Sequence, residues 1–533
     1  VSGVVTSGTL SGSLLSTGTP TLGLGVTINS SGLVVSGVAT AGIVSATTLY
    51  GDGSNLSGVG ATIAPLFYNP DISDSLVLVG TGIGITFNSQ IKAGTGNITI
   101  RETNASGTVV ENFGVGSSVT ISENRVSFTP TAGLTTGTVY YLNYPSGCFT
   151  NNEGTDYVGT AYTFVVKPIY YQLWAVGGNA YGMLGQNNVT LYSSPVQIPG
   201  TTWSSIARSS DNTASQITFK SDNTMWFLGR AQYGESGLND VVSRSSPTQI
   251  PGTWASATSG SNFTYGVTTT GTLWAWGRNN EGQLGQNNKT DYSSPVQVPG
   301  TTWASGVDKT AAGDTMVLAI KTDGTLWGWG ENDETTLGQN QSTPAFPGVS
   351  SPIQITSATN WNKCSNGWMR AGAINTSGEL FIWGASNAGQ GGNNVNYWTG
   401  ARGLSSPTQL PGTTWKTVSL QETTSFAVKT DGTMWAWGNN QGGQLGQNSV
   451  VWYSSPVQIP GTTWDDVDIG GYGPATVAAL KTDGTLWAWG QNNEGSSGQN
   501  NRTYYSSPVQ VGSGTDWDSI AQGDYSTYYI SKT

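Results

Sequence analysis

Short apolar runs alternate with polar residues along residues 169–533, and the same pattern returns seven times. A phrase close to Leu-Trp-Ala-Trp-Gly recurs at residues 173–177, 225–229, 273–277, 326–330, 380–384, 434–438 and 486–490. A Ser-Pro-x-Gln phrase follows each copy, with its proline at Pro195, Pro247, Pro295, Pro352, Pro407, Pro456 and Pro508. One further tryptophan completes each unit, at Trp203, Trp254, Trp303, Trp361, Trp415, Trp464 and Trp517. A fixed period of about 50 residues is typical of a repeat architecture.

Each unit has the pattern of antiparallel β-strands. In the fourth copy, residues 317–320 are apolar, residues 322–325 are Thr-Asp-Gly-Thr, and residues 326–329 include Leu and two Trp. Asp-Gly between two apolar runs is a hairpin signal, because this turn needs positive φ. No stretch shows a helical period. Short sheets that cannot bury both faces alone, repeated at a fixed period, predict a β-propeller.

The two ends of the repeat region complement each other. Inner repeats continue from Lys-Thr into Asp-Gly-Thr and a return strand, whereas the last unit ends at Thr533. The first phrase, residues 173–177, has no preceding partner strand within the repeats. We therefore expect residues 173–177 to pair with residues 528–533, which would complete a seventh blade and remove an open sheet edge.

Residues 273–285, Leu-Trp-Ala-Trp-Gly-Arg-Asn-Asn-Glu-Gly-Gln-Leu-Gly, resemble the regulator-of-chromosome-condensation repeat. Residues 434–446 are similar to it, and residues 486–498 more loosely so. The resemblance implies a seven-bladed propeller that shares its closing blade between both ends, over about two thirds of the chain. Residues 332–336 and 387–391 depart most from the pattern, so the fourth and fifth units are expected to be the least regular.

Residues 1–62 differ in composition from the repeats. The first 60 residues are almost entirely Val, Ser, Gly, Thr, Leu and Ala, and Asp52 is the only charged residue before Asp71. Such a segment is too poor in large side chains to close a core alone. A disordered linker is one interpretation. We favour a β-shaft wound from several chains, because strand-forming residues recur regularly. Residues 50–59 also resemble a phrase of bacteriophage fibre proteins.

Residues 63–168 carry the pattern of a compact β-sandwich. Seven short candidate strands, separated by Gly-rich turns, cover residues 83–87, 98–102, 108–113, 118–122, 125–129, 139–144 and 162–166. This spacing favours an immunoglobulin-like sandwich. The stretches 87–100, 126–130 and 137–141 resemble the bacterial Ig-like domains of surface-layer and adhesive proteins. The predicted fold is therefore all-β, with a shaft at 1–62, a sandwich at 63–168 and a propeller at 169–533.

Composition limits the classes of partner. Lys and Arg total 20 against 31 acidic residues, for a net charge of −11, and this argues against nucleic-acid binding. No apolar run is long enough to predict a membrane span. The two cysteines, Cys148 and Cys364, fall in different predicted domains, and we expect both to be free.

Catalytic chemistry is hard to place in this sequence. The absence of histidine excludes His-dependent triads and most catalytic zinc sites. Carboxylates could pair for glycoside cleavage, and two sets are candidates: Asp465, Asp466 and Asp468, or Glu331, Asp333 and Glu334. Both sets lie in polar segments expected to be exposed. Loose calcium binding is an alternative for them, although neither has the spacing of a twelve-residue calcium loop. We expect no enzyme activity, cofactor or metal.

Other polar repeats have a structural interpretation. Asp323, Asp431 and Asp483 occur in Thr-Asp-Gly and are predicted turn residues. Gln-Asn pairs such as Gln286-Asn287 are predicted to link blades by hydrogen bonds. Tyrosines just before Ser-Ser-Pro are predicted to pack, at Tyr192, Tyr292, Tyr453 and Tyr505.

Residues that break the repeat are the better binding candidates. Between Gly-Gln-Asn and Ser-Pro each unit has a variable loop, and a ring gathers equivalent loops on one face. The predicted binding residues in these loops are Trp398, Trp452, Tyr397, Arg402, Phe346 and Tyr504. Aromatic and amide side chains can stack on sugars or anchor a protein partner. Covering blade edges or packing on another subunit is the alternative.

The sequence therefore predicts a non-enzymatic bacteriophage fibre or appendage protein of the virion. It would trimerise through residues 1–60, contact other virion proteins, and use the propeller head to attach to a host-surface glycan or protein. The alternative is a secreted or surface bacterial propeller that binds and inhibits a protein. A carbohydrate-active enzyme is a third, less favoured interpretation.

Overall fold

The described residues of the computed structural model are 26–29, 32–35, 64–69, 82–132, 134–135, 137–152, 154–157, 161–166, 171–209, 214–341, 348–394, 403–471 and 475–532. The chain divides into two compact units, Val1–Pro168 and Ile169–Thr533. The described residues form β-strands, together with a 3-10 helix at Asp333–Thr335. The predicted all-β class is confirmed.

Two strands are described within the predicted shaft. β1 (Val26–Asn29) pairs antiparallel with β2 (Gly32–Val35), with Val26 opposite Val35. The remainder of residues 1–62 lies outside the described residues. The shaft therefore stays a prediction.

The rest of the first unit is built mainly from two four-stranded sheets. Its strands are β3 (Pro65–Asn69), β4 (Ile83–Phe87), β5 (Lys92–Ala93), β6 (Asn97–Glu102), β7 (Val109–Gly114), β8 (Thr120–Ser122), β9 (Arg125–Phe128), β10 (Val139–Asn143), β11 (Phe149–Thr150) and β12 (Tyr162–Val165). One sheet has the order β12-β10-β6-β7, the other β3-β4-β9-β8, and β11 pairs with β5. All seven predicted strands are present, whereas β3, β5 and β11 escaped prediction.

Side-chain alternation explains how these sheets pack. On β6, Ile98 and Ile100 are buried while the residues between and beside them are not, and Tyr140 and Leu142 repeat this on β10. A period of two places such residues on one face of a sheet. They share a single core with residues of the other sheet, such as Ile85. One apolar face on each of two sheets therefore produces a sandwich.

The second unit contains seven four-stranded antiparallel sheets, the blades of a propeller. In first-to-fourth strand order, blade 1 has β15 (Trp203–Ile206), β16 (Ser215–Lys220), β17 (Met225–Gly229) and β18 (Arg244–Ile250); blade 2 has β19 (Trp254–Ser259), β20 (Phe263–Thr268), β21 (Leu273–Gly277) and β22 (Tyr292–Gln297); blade 3 has β23 (Thr310–Ala312), β24 (Met316–Ile320), β25 (Leu326–Glu331) and β26 (Gly348–Gln354).

The remaining blades follow the same order. Blade 4 has β27 (Trp361–Asn366), β28 (Arg370–Asn375), β29 (Leu380–Ala385) and β30 (Gly403–Gln409); blade 5 has β31 (Trp415–Leu420), β32 (Thr424–Lys429), β33 (Met434–Gly438) and β34 (Tyr453–Ile459); blade 6 has β35 (Trp464–Gly470), β36 (Thr476–Lys481), β37 (Leu486–Gly490) and β38 (Tyr505–Gln510); blade 7 has β39 (Trp517–Gln522), β40 (Ser526–Lys532), β13 (Tyr171–Gly177) and β14 (Tyr192–Ile198).

Blade 7 takes two strands from each end of the repeat region. β13 pairs with β40 over its whole length, from Tyr171 opposite Lys532 to Gly177 opposite Ser526. β14 and β39 flank this pair, so neither of the two central strands has an open edge. The contribution of this pairing to the stability of the ring stays a prediction.

In five of the seven blades the repeated phrase ties the blade to the preceding one. The second tryptophan of the phrase is fully buried there, and its indole N–H donates to a loop carbonyl one blade back, 2.7 Å from Trp276 to Glu235 and 2.8 Å from Trp437 to Gln390. Blades 7 and 1 carry Val176 and Leu228 at this position. Tryptophan suits this position because it buries a large ring and still places one polar group. The Trp-x-Trp-Gly spacing therefore specifies contacts between blades.

A polar turn closes each inner hairpin. Asp323 accepts the backbone N–H and the hydroxyl of Thr325, at 3.0 and 2.6 Å, and Gly324 has a φ of +79°. Asp431 and Asp483 make the same bonds in their blades. The predicted turn role of these aspartates is confirmed.

Seven asparagines connect the blades into a ring. Asn287 has a φ of 56°, which asparagine tolerates, and its N–H donates to the carbonyl of Ser350 in the next blade at 2.6 Å. Equivalent bonds of 2.7–2.8 Å join Asn187 to Ser245, Asn239 to Ser293, Asn340 to Ser405, Asn394 to Ser454, Asn448 to Ser506 and Asn500 to Ser193. The predicted blade-linking role of the Gln-Asn pairs is confirmed.

Candidate functional site

The loops between third and fourth strands form one candidate surface. They run through residues 178–191, 230–243, 278–291, 332–347, 386–402, 439–452 and 491–504. Each loop extends over the fourth strand of the next blade, as the asparagine bonds show. Equivalent loops of a ring share a side, so we call this side the loop face.

The structure describes two of the six predicted binding residues. Phe346, Tyr397, Trp398 and Arg402 lie outside the described residues. Trp452 is half-buried in the loop of blade 5. Tyr504, in the loop of blade 6, is 43% exposed and donates its hydroxyl to the Asn493 side-chain oxygen at 2.6 Å. The binding role of all six stays a prediction.

The tyrosines before Ser-Ser-Pro have the predicted packing role. Their rings pack against buried clusters between the blades, at Tyr192, Tyr292, Tyr453 and Tyr505. In three loops an asparagine two residues beyond Gly-Gln also donates to the tyrosine hydroxyl, as Asn288 does to Tyr292 at 3.1 Å. These rings stabilise the loops and are not free for ligand.

Apolar side chains project from the loops of blades 5, 7 and 1. Val189 is 65% exposed, and two adjacent pairs are exposed to a similar extent: Val241 with Val242, and Val450 with Val451. With Tyr504 of blade 6, four successive blades present apolar groups on the loop face. These valines were not among the predicted binding residues, although two adjacent valines shortly before the Ser-Ser-Pro strand are a visible signal in the sequence.

Two arginine–tyrosine pairs occupy successive blade junctions on the same face. The Arg230 guanidinium lies over the Tyr181 ring, 5.6 Å from its centre, and the Arg278 guanidinium lies over Tyr233 at 5.1 Å. In each pair the tyrosine comes from one loop and the arginine from the start of the next. Both tyrosines keep more than a third of their surface exposed. Cations over aromatic faces are attracted by the ring quadrupole.

The two arginines differ in their other contacts. Arg230 donates to the Ser261 carbonyl at 3.0 Å and to the Asn262 side-chain oxygen at 2.6 Å, and it lies 3.8 Å from the Glu235 carboxylate. Within the described part of the chain, the Arg278 guanidinium has no hydrogen-bond acceptor, while its backbone N–H donates to Asn262 at 2.9 Å. Arg278 therefore carries planar donors that are available to a ligand.

The opposite face is organised by lysines between tryptophans. The Lys220 ammonium lies 5.1 Å from the Trp203 ring centre and 4.0 Å from that of Trp226. Blades 3, 5 and 6 repeat the arrangement with Lys321, Lys429 and Lys481. These rings and charges are engaged with each other, so this face offers fewer unpaired groups than the loop face.

The first strands of six blades line a cavity of 280 Å³ at the centre of the ring. Its walls carry mostly small polar and apolar side chains, including Ser205, Ser256, Thr258, Ala311, Ser365 and Ser419. Small side chains leave the space that larger ones would fill. The cavity also contains a charged cluster, which sets its chemistry.

Arg208 of blade 1 is the centre of that cluster. Its Nη2 lies 2.6 and 2.7 Å from the two carboxylate oxygens of Asp466 in blade 6, and its Nε lies 3.4 Å from Asp308 in blade 3. Lys363 lies 3.5 Å from the other oxygen of Asp308. The charges therefore neutralise one another across the channel.

Asp468 lies deepest in the cluster, with 3% of its surface exposed. It accepts the Ser419 hydroxyl at 2.8 Å and the Gln522 backbone N–H at 2.9 Å. Burial raises the pKa of Asp468 to about 6, because the charged form loses its hydration, although nearby Arg208 opposes this change.

The structure corrects the expected exposure of both carboxylate sets. Asp465, Asp466 and Asp468 belong to the first strand of blade 6, where Asp468 is buried and Lys416 pairs with Asp465. Glu331 is half-buried, accepts the Thr315 hydroxyl at 2.6 Å, and has its pKa raised by burial. The expectation of exposure is wrong for Asp468, which lies on a first strand that lines the channel, and for Glu331, which ends the third strand of blade 3. The Asp465 side chain stays 46% exposed. The bonds of these carboxylates to neighbouring side chains indicate a structural role.

Further chemistry is sparse among the described residues. In the ranges given above, no group of three His, Cys, Asp or Glu side chains is placed to hold a metal ion. Cys148 and Cys364 are free and buried, and burial raises the pKa of the Cys364 thiol. The described helical segments include none with the length and hydrophobicity of a membrane span.

Comparison with known proteins agrees with this architecture. Residues 270–320 and 431–472 match the regulator of chromosome condensation (RCC1) repeat, and residues 254–283 match it in a second form. The propeller contains RCC1 repeats. Residues 66–166 match the bacterial Ig-like domain. Both resemblances found in the sequence are confirmed, whereas that of residues 50–59 to phage fibres stays a prediction.

Similar proteins of known identity share only part of this chain. The ultraviolet-B receptor UVR8 of Arabidopsis thaliana is 25% identical over 287 residues, which cover 53% of this chain and 64% of that protein. The human E3 ubiquitin-protein ligase HERC2 is 28% identical over 144 residues, which cover 26% of this chain and 3% of that protein. The chain therefore spans less than two thirds of either relative.

Solved structures show the same RCC1 propeller fold. Yeast RCC1 (Prp20), in its complex with Kap60, superposes with a TM-score of 0.60 at 16% identity, over 68% of this chain and 89% of that one. Human WBSCR16 superposes with a TM-score of 0.58 at 17% identity, over 69% of this chain and all of that one (100%). At these identities the likeness concerns the fold.

Proposed function

We propose that this chain is a non-enzymatic structural and adhesive subunit of a bacteriophage fibre or appendage. Its RCC1 propeller is the exposed head, and the loop face attaches to the host surface. The observation that carries this proposal is the set of exposed valines and Tyr504 on the loops of four successive blades. Clustered exposed apolar groups typically mark an interaction surface.

The repeated frame of the blade does not require these side chains. Buried leucines, tryptophans and alanines already fill the space between blades, and the asparagine ring already links them. The exposed apolar loop residues therefore lower solubility, and within the described residues they have no role in folding. The net charge of −11 further disfavours a nucleic-acid partner.

A virion location is supported by the sequence of the first 62 residues. Their Val, Ser, Gly and Thr composition and the fibre-like phrase at residues 50–59 suit an assembly shaft. The Ig-like domain then acts as a spacer, since such domains recur in extended adhesive proteins. In this proposal the shaft forms a homotrimer and contacts other virion proteins.

The alternative is a secreted or surface bacterial propeller that binds and inhibits a protein. The valine pairs favour it, because protein interfaces have apolar centres. Yeast Prp20 was described together with its binding to Gsp1p and histones, so the fold accommodates protein partners in that case. Adsorption to cells separates the two functions.

The test is adsorption of the full chain to candidate host cells. We expect Val241→Ser with Val450→Ser, and separately Trp398→Ala with Trp452→Ala, to reduce adsorption by at least about tenfold. The matched control, Asp222→Asn with Asp431→Asn, alters hairpin turns away from the loop face and should leave adsorption unchanged. If the native chain adsorbs to no bacterium, or if both loop variants adsorb normally, the proposal is wrong.

A further inference from the structure

The tyrosine–arginine pairs are specific to two of the seven blade junctions. Four residues beyond the glycine that ends the repeated phrase, blades 7 and 1 carry Tyr181 and Tyr233. Arg230 and Arg278 follow the same glycine directly, in blades 1 and 2. At the other junctions the tyrosine position holds Glu281, Glu334, Ala388, Gly442 or Glu494. The blade fold therefore does not need either pair.

We propose that these two pairs form a binding site for a glycan that carries a carboxylate. The inference deepens the proposed function, on which it rests, by naming the class of receptor. Arg278 binds the carboxylate, because its guanidinium is planar and has donors without an acceptor in the described residues. The exposed faces and edges of Tyr181 and Tyr233 provide platforms for sugar rings.

The surroundings favour a sugar over a protein. Amide side chains lie beside the pairs: the exposed Gln232 precedes Tyr233, the half-buried Asn280 follows Arg278 by two residues, and the half-buried Asn262 bonds both arginines. Amides can donate to and accept from hydroxyl groups, which a glycan presents along its whole length. The exposed valines of the same loops come eight or nine residues after Tyr233, at Val241 and Val242. The pairs are therefore a polar and aromatic site beside the apolar groups.

Repetition of the pair indicates a ligand with repeated units. Asn262 holds both arginines, through the Arg230 guanidinium at 2.6 Å and the Arg278 backbone N–H at 2.9 Å. The two platforms are thus fixed relative to each other. Glu281, three residues after Arg278, is engaged by Lys289 at 3.2 Å and by the Asn280 amide at 2.9 Å. An oligosaccharide can occupy both pairs, with its carboxylate at Arg278.

The test is binding of the full chain to an array of sialylated and uronate-containing oligosaccharides, each beside its carboxyl-reduced form. We expect retention of carboxylated members, with at least tenfold weaker binding of the reduced forms (about the effect of one charged hydrogen bond). Arg278→Gln and Tyr233→Ala should each lose about tenfold, and Arg278→Lys should lose less. Tyr181→Ala should weaken longer oligosaccharides more than short ones.

Arg244→Gln is the matched control. Arg244 begins β18, directly after the loop that holds Tyr233, and pairs with Asp240 at 2.6 Å, so its substitution should not change glycan binding. All variants should melt with the native chain, since Arg278 is half-buried and its guanidinium makes no hydrogen bond within the described residues. Absence of any carboxylated binder, equal binding of reduced forms, or native affinity of Arg278→Gln would overturn the inference.

Cell adsorption distinguishes this inference from the proposed function. If the chain adsorbs to host cells and Arg278→Gln adsorbs equally, attachment stands and the glycan site falls. If adsorption resists periodate but is lost after protease treatment, the receptor is a protein and the inference is overturned. If the chain binds carboxylated glycans but adsorbs to no bacterium, the glycan site stands and the fibre proposal fails.

Discussion

Arg208 reaches across the central channel and binds Asp466, a residue of a blade that is not its neighbour. One guanidinium nitrogen lies 2.6 and 2.7 Å from the two carboxylate oxygens, and the same side chain lies 3.4 Å from Asp308. Blades 1, 3 and 6 are thereby joined through one arginine. The asparagine bonds and the tryptophan bonds described above connect successive blades, so this cluster is a separate source of cohesion.

Replacing Arg208 by leucine should destabilise the propeller by about 3 kcal/mol. The variant leaves Asp308, Asp466 and Asp468 near one another without their shared cation, and breaking a buried ion pair costs far more than breaking an exposed one. Urea unfolding followed by tryptophan fluorescence measures the loss. Arg244→Leu, which breaks a single pair with Asp240, whose side chain is 35% exposed, should cost less than about 1 kcal/mol. Equal losses would show that the channel cluster has no special role.

Stability should fall as pH rises through about 6 because of Asp468. Its pKa is raised to about 6 from an ordinary value of 3.8, so the native state binds the proton more tightly than the unfolded chain does. The protonated form stabilises the fold fully below pH 3.8, and this stabilisation is lost as pH rises through 6. We expect a loss of about 2–3 kcal/mol over this interval.

Asp468→Asn should remove that dependence, because its amide stays neutral at every pH. The control is Asp483→Asn, a turn residue whose pKa is lowered by the Thr485 hydroxyl and N–H. Its stabilisation is present above pH 3.8 and lost as pH falls, the opposite sign. Melting temperatures of the native chain and both variants between pH 3.5 and 7.5 measure the pH dependence of stability. A native-like slope in Asp468→Asn would contradict the assignment.

Repeated local chemistry was predictable, and unrepeated long-range chemistry was not. Gln286-Asn287 and Asp323 recur in register, and each acts through bonds to residues nearby or in the next blade, so their roles followed from the pattern. Arg208 and Asp466 are 258 residues apart and neither recurs. The repeat period of a sequence does not indicate which unrepeated residues face each other across the ring. The exposure of the blade 6 aspartates was misjudged for the same reason.

The arginine–tyrosine pairs were predictable in part, because they join neighbouring blades but occur at only two junctions. Tyr233 and Arg278 belong to consecutive repeats and meet only because the loop of one blade covers the start of the next. Aligning the seven repeats by their phrase would have shown tyrosine followed by arginine at two junctions. The six predicted binding residues come instead from the later, variable part of the loops, and four of them lie outside the described residues.

Glu235→Gln should stabilise the propeller at neutral pH by about 1 kcal/mol. Glu235 is buried, and burial raises the pKa of its carboxyl group. The equivalent position in blades 2, 4 and 5 is a glutamine, at Gln283, Gln390 and Gln444. Each glutamine side-chain oxygen accepts a backbone N–H, just as the Glu235 carboxylate accepts that of Tyr233 at 2.7 Å. Glutamine keeps this bond without a buried charge.

The gain from Glu235→Gln should disappear below the ordinary pKa of glutamate, where both side chains are neutral. Thermal melts at pH 4 and pH 7.5 measure this difference. Gln444→Glu, the reverse change in blade 5, should destabilise at pH 7.5. Destabilisation by Glu235→Gln at neutral pH would show instead that the contact with Arg230 outweighs burial of the charge.

Ile530→Ala should destabilise the propeller by about 2–5 kcal/mol if the paired ends hold the ring closed. Ile530 is fully buried on β40, opposite Leu173. Ile374→Ala, on the second strand of blade 4, is the matched control and should cost a similar amount. Deleting residues 528–533 removes the strand and should cost more than either. A truncated chain that melts like the native one would show that the pairing is dispensable.

Removal of residues 1–62 should convert a homotrimer into a monomer. These residues are rich in Val, Thr and Ser and hold few large side chains, so a single copy cannot bury its own valines effectively. Strands of several chains wound together would bury them, and three copies is the number that the fibre-like phrase implies. Sedimentation equilibrium of the full chain and of residues 63–533 measures both masses.

The sandwich and the propeller each have their own core, so the shortened chain should keep the melting temperature of the native propeller. A monomeric full chain contradicts the shaft, and a shortened chain that stays trimeric places the contact in the other domains.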